Sequence, residues 1–154
     1  MLKLKGEIFM NKVQPIRDKE LIARFKGELK KQSTRNYLLF ALGINIGLRI
    51  SDIIQFKVET FRYEDGTMKD IIKVIEQKTG KLKRFTLNKN LMAELEEYIK
   101  YMEQEEYIFQ SQKGTNQHID RTNAYRILNA VAEKLGIEEI GTHTLRKTFR
   151  LLVL

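Results

Sequence analysis

The chain has 154 residues, with no cysteine, one proline and two histidines. The absence of cysteine excludes disulfides, a cysteine nucleophile and zinc held by cysteine ligands. The two histidines, His118 and His143, lie far apart along the chain and do not have the spacing of a metal site. We therefore expect no metal ion in this protein.

Long apolar runs are also missing. No run approaches the ~20 residues that are needed to span a bilayer. The first residues, MLKLKGEIFMNKVQP, carry Lys and Glu inside their apolar part, which is not typical of a signal peptide. A cytoplasmic protein without a membrane partner is the expectation.

Positive charge is present in excess. Lys and Arg number 28 against 20 Asp and Glu, which gives a formal net charge of +8. The hydrophobic and charged fractions, 42% and 31%, are typical of one globular domain of this length. The charge favours a polyanionic partner such as nucleic acid, and a solvated basic surface is the alternative that charge alone leaves open.

The apolar pattern of the first part of the chain predicts helices. RDKELIARFKGELKK has apolar residues at helical spacing and a plausible N-cap in Asp18. RNYLLFALGINIG, capped by Ser33 or Thr34, is apolar nearly all round, which predicts a central, buried helix that ends at Gly47. A short third helix is predicted over ISDIIQF, with Ser51 or Asp52 near its start.

The pattern then changes to strands. KDIIKVIEQ and LKRFTL are β-prone runs joined by KTGK, in which Gly80 can take a positive φ, so they predict a hairpin. A further strand over KVETFRY, before the turn EDGT, would make a three-stranded meander. The predicted fold class is α+β, mainly α-helical, with one small antiparallel three-stranded β-sheet packed on the helices.

The second half returns to helices. NKNLMAELEEYIKYMEQ is capped by Asn88 or Asn90, and RTNAYRILNAVAEKLG is capped by Asp120 and ended by Gly136. An extended piece, YIFQSQKGTNQ, lies between them. Thr142 can cap a last helix.

Basic side chains stand at three distinctive points of this pattern. Arg49 follows the buried helix, and Asp52, three residues later, could orient its guanidinium; an ordinary surface arginine is the alternative. Lys78 lies at the hairpin tip, where a solubilising turn lysine is the alternative. Candidates for further phosphate contacts on the same hairpin are Lys81, Lys83 and Arg84.

The third point is His143 with Arg146. The two residues are three apart at the start of the last helix, so both can lie on one face. A helix N-terminus adds its own attraction for anions. A structural histidine is the alternative for His143 taken alone.

These three points, in this order, carry a resemblance to a known family. GLRISDI, EQKTGKLKRFTL and GTHTLRKTF resemble the signatures of the catalytic domain of the tyrosine recombinases, the phage integrase family. The resemblance runs from about Gln14 to Phe149. VQPIRDKE resembles the segment that leads from a DNA-binding arm domain into the catalytic domain, so residues 1–13 are expected to be a remnant of that linker.

The resemblance implies a helical core of the DNA breaking–rejoining type, double-stranded DNA as the partner, and cleavage through a 3′-phosphotyrosyl link without a cofactor. Arg49 and Arg146 would hold the non-bridging phosphate oxygens, and Lys78 would protonate the 5′-oxygen leaving group. His143 would donate to the phosphate or accept the proton of the nucleophile.

The sequence departs from the family after Arg146. The family continues with a second His or Trp motif and the nucleophilic tyrosine, whereas all six tyrosines lie upstream here: Tyr37, Tyr63, Tyr98, Tyr101, Tyr107 and Tyr125. We therefore expect residues 14–154 to be a catalytic domain truncated at its C-terminal side, without a nucleophile, and not to cleave DNA. The apolar segment RLLVL would then favour self-association.

One alternative function stays open. The chain could be a non-catalytic basic DNA-binding or regulatory module that uses the same phosphate cradle. Whether the chain is an enzyme is therefore undecided from the sequence.

Overall fold

The computed structural model of the protein describes residues 18–137, 141 and 144–152. The predicted linker over residues 1–13 and the predicted cap Thr142 lie outside the described residues. The elements of the described part are the helices α1 (Lys19–Gln32), α2 (Thr34–Ile46), α3 (Ile50–Ile53), α4 (Val58–Phe61), α5 (Lys89–Ile99), α6 (Arg121–Lys134) and α7 (Thr144–Leu152), and the strands β1 (Ile72–Ile75) and β2 (Leu82–Phe85). The mainly helical class with a small antiparallel sheet is confirmed. None of the described helices is long and apolar enough to cross a membrane.

Helix α2 lies at the centre of the domain, as its apolar pattern predicts. Ten of its 13 residues are buried. It packs against α1, α3, α5, α6 and α7, and Phe40 in α2 stacks on Phe25 in α1 with 4.4 Å between the ring centroids. The burial of nearly every side chain explains why α2 has no polar face.

Local capping sets the helix boundaries. The side chains of Asp18, Ser33, Asn88 and Asp120 each accept a hydrogen bond from a backbone N–H in the first turn of the helix that follows. Ser33 and Asn88 are thus the caps where the sequence left two choices. The predicted positive φ occurs at Gly80 (70°), and the two glycines predicted to end helices, Gly47 (76°) and Gly136 (72°), have positive φ as well.

The prediction of a third strand is wrong, because the sheet has only β1 and β2 in the described part of the chain. Most of the segment KVETFRY forms α4 instead, and Arg62 makes a single isolated bridge to Met68. The N–H groups of Val58 and Glu59 donate to the carbonyls of Glu106 and Gln104, both at 2.9 Å. These distant acceptors take the backbone donors of the segment, so it does not pair with β1 as a strand, although α4 still contacts β1.

The side chain of Arg62 holds the same segment against the end of α5. Its guanidinium donates to the carbonyls of Ile99 (3.1 Å) and Met102 (2.7 Å) and to the Oε1 atom of Gln104 (2.7 Å). One planar fork thereby satisfies two carbonyls near the C-terminus of α5.

A glutamate of α5 joins this helix to α1 and α2. The hydroxyl of Tyr37 donates to Glu94 at 2.6 Å, and Lys30 pairs with the same carboxylate at 3.0 Å. Burial acts to raise the pKa of Glu94, but the hydrogen bonds from Tyr37 and Lys30 hold that pKa below its ordinary value. The carboxylate is therefore ionised in the folded protein at neutral pH.

Helix α7 packs closely on α2 at a glycine. A Cβ atom added at Gly43 would lie 2.5 Å from Cδ1 of Leu145, a side chain that is itself buried. The missing side chain of Gly43 lets the two helices approach. This contact fixes the position of α7, which carries Arg146.

Candidate functional site

Arg49 lies in the turn between α2 and α3, two residues after the left-handed Gly47. Its guanidinium Nη1 donates to Oε2 of Glu76 at 3.1 Å, and its side chain is 19% exposed. The side chain is therefore held in place and still reaches the surface. A loose surface arginine, the alternative reading of the sequence, does not describe this geometry.

Arg146 reaches the same place from α7. Its Nε donates to the carbonyl of Gly47 at 2.8 Å, at the C-terminal end of α2, where a cation also meets the negative end of the helix dipole. Its Nη2 lies 3.9 Å from Oε2 of Glu76. The two predicted arginines thus converge on one carboxylate oxygen, although they are distant in the sequence.

Glu76 is the residue that sequence reasoning missed. It follows β1, and its side chain is buried, with 2% of the residue exposed. Its Oε1 accepts a hydrogen bond from the Thr79 hydroxyl at 3.1 Å and lies 3.9 Å from Nζ of Lys83. The alternation of the strand offered a signal, because Ile72, Val74 and Glu76 fall on the same, inward face.

The hairpin turn carries Lys78 at its tip. Glu76 N–H donates to the carbonyl of Lys81 at 2.9 Å, and Gly80 N–H donates back to the carbonyl of Glu76 at 2.8 Å. Lys78 is exposed in this turn. Lys78 follows Glu76 by two residues in this turn.

Arg49 and Lys78 line one cleft. The cleft has a volume of about 340 Å³ and is also lined by Arg121 and Tyr125 of α6. The Arg121 guanidinium lies 5.7 Å from the centroid of the Tyr125 ring. Arg121 is a cleft residue that the sequence did not single out, since it reads as an ordinary first-turn residue of α6.

The other basic residues of the hairpin divide between its two faces. Lys83 pairs with Val74 on the face that holds Glu76, whereas Arg84 pairs with Lys73 on the opposite face, because side chains alternate along a strand. Lys81 is exposed just before β2. The structure therefore brings Lys83 to the two arginines and does not bring Arg84 there.

Asp52 makes a different contact from the one predicted. Its Oδ1 accepts a hydrogen bond from the backbone N–H of Gln77 at 3.0 Å, and the residue is 5% exposed. Among the described residues, the carboxylate that pairs with Arg49 is that of Glu76 and not that of Asp52. Asp52 thus anchors the hairpin to α3, and its predicted role in orienting Arg49 stays a prediction.

The charges around Glu76 do not balance. Three cations, those of Arg49, Lys83 and Arg146, lie within 4 Å of one carboxylate. The excess positive charge beside an open cleft suits an anion such as a phosphate.

His143 lies outside the described residues. The described part of the chain contains no group of three or more His, Cys, Asp or Glu side chains that could hold a metal ion.

Comparison with known proteins identifies relatives of this chain. Residues 16–151 match the phage integrase family. The chain is 45% identical over 140 residues to the probable integrase/recombinase YoeC of Bacillus subtilis, an alignment that covers 91% of this chain and 74% of YoeC. It is 26% identical over 123 residues to the tyrosine recombinase XerA of Pyrococcus furiosus, covering 79% of this chain and 41% of that protein.

Solved structures share the fold. The crystal structure of XerA recombinase matches with a TM-score of 0.71 at 20% identity, covering 96% of this chain and 52% of that one. The XerH site-specific recombinase, solved bound to its difH substrate in a pre-cleavage complex, matches with a TM-score of 0.68 at 21% identity, covering 96% of this chain and 45% of that one. The chain thus spans about half the length of these structures.

Proposed function

The chain belongs to the phage integrase family of tyrosine recombinases, and from this premise we propose that it is a DNA-binding catalytic domain of a site-specific recombinase. Family membership supports a role in DNA recombination. The proposed partner is double-stranded DNA, which the domain would grip at the phosphate that is cut.

The observation that carries the proposal is the meeting of Arg49 and Arg146. Two guanidinium groups from separate segments of the chain lie 3.1 and 3.9 Å from one oxygen of Glu76, and Arg49 also lines the cleft with Lys78. Forked donors held rigidly in this way suit two oxygens of a single phosphate.

In the proposed reaction the phosphate becomes pentacoordinate and gathers negative charge, which prearranged cations stabilise. Arg49 and Arg146 would hold the non-bridging oxygens. Lys78 would give a proton to the departing 5′ oxygen, which needs an acid to leave. His143 keeps the role predicted for it, as a donor to the phosphate or an acceptor of the nucleophile's proton.

The printed names of the relatives support the choice of DNA. XerH was solved bound to a difH substrate, and lambda integrase was solved bound to DNA. The excess of lysine and arginine in this chain, 28 against 20 acidic residues, favours such a polyanionic partner.

Binding of labelled duplex DNA, followed by fluorescence anisotropy, tests the proposal. We expect affinity to fall by a factor of about 10³ or more between 50 and 200 mM salt if roughly six phosphates are contacted. Arg49→Ala and Arg146→Ala should weaken binding to every DNA sequence alike. Arg24→Ala is the matched control, because Arg24 is an exposed residue of α1 and its loss changes the net charge equally.

Three results would contradict the proposal. Binding that hardly responds to salt would indicate a basic interaction protein without a nucleic-acid role. Equal losses for Arg24→Ala and for the two site variants would indicate a diffuse charge effect. A preference lost at one base pair only would favour a groove-reading DNA-binding module, the alternative function.

We also propose that the polypeptide of residues 1–154 binds DNA without forming the covalent link. None of its six tyrosines follows Arg146, and an attacking hydroxyl must lie in line at ~3–3.5 Å from phosphorus. A suicide DNA substrate should therefore yield no protein–DNA adduct on a denaturing gel. An adduct would contradict this, and its loss in Tyr125→Phe would identify the tyrosine of the cleft as the nucleophile.

Self-association through the apolar segment RLLVL stays a prediction from the sequence. Light scattering over a range of concentrations measures it. A monodisperse monomer at every concentration would refute it.

A further inference from the structure

Glu76 is a buried carboxylate to which the proposed reaction gives no role. Burial of an ionised carboxylate is costly unless it is paired and hydrogen-bonded. Glu76 meets this condition with Arg49 at 3.1 Å, Arg146 at 3.9 Å and Lys83 at 3.9 Å, and with the Thr79 hydroxyl at 3.1 Å. The observation to explain is why a negative charge lies beneath a site that is proposed to bind a negative phosphate.

The partners of Glu76 come from three separate parts of the chain. Arg49 precedes α3, Arg146 lies on α7, and Lys83 lies on β2. Like charges brought together repel each other, and a carboxylate between them offsets that repulsion. Glu76 is the one carboxylate that lies within 4 Å of all three cations in the described part of the structure.

The contacts leave donors for a ligand. A guanidinium carries five N–H groups in a fixed plane. Arg49 uses Nη1 on Glu76, and the same side chain lines the cleft with Lys78. Arg146 uses Nε on the carbonyl of Gly47 and turns Nη2 towards Glu76. The carboxylate therefore hydrogen-bonds one side of the Arg49 fork and attracts one side of the Arg146 fork by charge.

We propose that Glu76 is a positioning residue of the phosphate site, whose carboxylate fixes Arg49 and Arg146 in the orientation that one phosphate requires and ties that orientation to the hairpin that carries Lys78. The inference rests on the proposed function. Glu76 does not touch the phosphate and acts only through the arginines.

The sign of one measurement separates positioning from simple charge. Glu76→Gln removes a negative charge, so a purely electrostatic role predicts equal or tighter binding of duplex DNA. Positioning predicts weaker binding despite the gain in positive charge. We expect a loss of about tenfold or more, as when a residue that orients the ligands of a metal ion is changed.

Two further variants complete the binding test. Asp70→Asn is the matched control, because Asp70 is an exposed residue just before β1 and its change alters the net charge equally; its binding should stay equal or tighten. Glu76→Asp keeps the charge but shortens the side chain by one methylene, so it should also lose affinity. Full affinity in either Glu76 variant would overturn the proposal.

A second readout does not depend on DNA. In ¹⁵N-labelled free protein, the Nε–Hε signals of Arg49 and Arg146 should shift or broaden in Glu76→Gln, since their guanidinium groups lose the carboxylate with which both form ion pairs. The signal of Arg62 should not change, because that side chain is held by Ile99, Met102 and Gln104. Unchanged signals of Arg49 and Arg146 would overturn positioning even if the protein proved not to bind DNA.

The outcomes distinguish the two proposals. Wild-type protein that fails to bind DNA refutes the proposed function, whereas Arg49-dependent binding that Glu76→Gln leaves intact refutes only the inference. Thermal unfolding is measured for each variant, so that affinity is compared among folded proteins. If Glu76→Gln does not fold, Thr79→Val provides the test. It removes the hydroxyl that donates to Glu76 and accepts from the N–H of Lys81, and it should give a smaller loss in the same direction. Unchanged binding would count against the proposal.

Discussion

The close contact between α2 and α7 gives a stability prediction with a built-in control. Gly43 and Gly27 both lie inside helices, so replacement by Ala should gain about 0.5–1 kcal/mol at either position from helix propensity. At Gly27 the new Cβ meets no atom within 4 Å, whereas at Gly43 it would lie 2.5 Å from Cδ1 of Leu145. The two changes thus differ mainly in this clash.

The expected magnitude follows from the packing. Leu145 is 3% exposed, so its side chain has little room to move aside. Overpacking of this kind costs about 1–3 kcal/mol. Gly43→Ala should therefore be less stable than Gly27→Ala by about 1–3 kcal/mol, or roughly 2–12 °C in melting temperature for a domain of this size.

Urea and thermal unfolding, followed by circular dichroism, measure the difference. Leu145→Ala in the Gly43→Ala background should relieve the clash, so the double variant should be more stable than the sum of the two single changes predicts. If Gly43→Ala stabilises the protein as much as Gly27→Ala does, the close approach of α2 and α7 is refuted. The account of how Arg146 is positioned would then fail with it.

Three further predictions concern the rest of the domain. Asp120→Ala should cost about 1 kcal/mol in urea unfolding because it removes the N-cap of α6, and a loss below about 0.3 kcal/mol would contradict the cap. Arg62→Lys cannot reproduce the three-way fork onto the end of α5, so it should lower the melting temperature; an unchanged melting temperature would show that the fork is not needed. Hydrogen bonds, including the one from Tyr37, lower the pKa of Glu94, so the stability that its carboxylate contributes is present above the ordinary value of 4.5 and is lost as the pH falls through the lower folded value. Glu94→Gln should therefore lose less stability than the wild type between pH 6 and pH 3, and equal losses would refute this.

Much of the fold could be predicted because its signals are local. A cap such as Asp120 acts on the N–H groups of the next turn, and Gly47 ends α2 through its own φ angle. The residues of α2 are apolar on nearly every side of the helix, so burial on every side could be predicted without knowing which elements pack against it. These properties depend on residues that are neighbours along the chain.

The prediction of a third strand failed because the interactions that decide this segment are not local. The residues of KVETFRY favour a strand by composition, but the acceptors for Val58 and Glu59 lie at Glu106 and Gln104. Arg62 is likewise held by residues about forty positions away. The tertiary hydrogen bonds outweighed the strand propensity of this segment, and such bonds cannot be read from a local sequence pattern.

The residues of the candidate site were likewise predicted only in part from the sequence. The sequence singled out Arg49, Lys78, His143 and Arg146 through a resemblance of motifs. It placed the orienting carboxylate at Asp52, three residues from Arg49, because nearness along a helix is the only nearness that a sequence displays. In the structure Asp52 accepts a hydrogen bond from the backbone N–H of Gln77, and Glu76 is the carboxylate that forms ion pairs with the two arginines.

The sequence by itself determined the helices, their caps, the β1–β2 hairpin, the excess of positive charge and the basic residues at three separate points. Only the tertiary structure decided that Arg49, Arg146 and Lys83 share one carboxylate and that Arg121 and Tyr125 join Lys78 in the cleft. The physical reason is that helix and turn preferences are set by interactions between residues close in the chain, whereas a buried charge such as Glu76 can form only where distant segments bring its countercharges together.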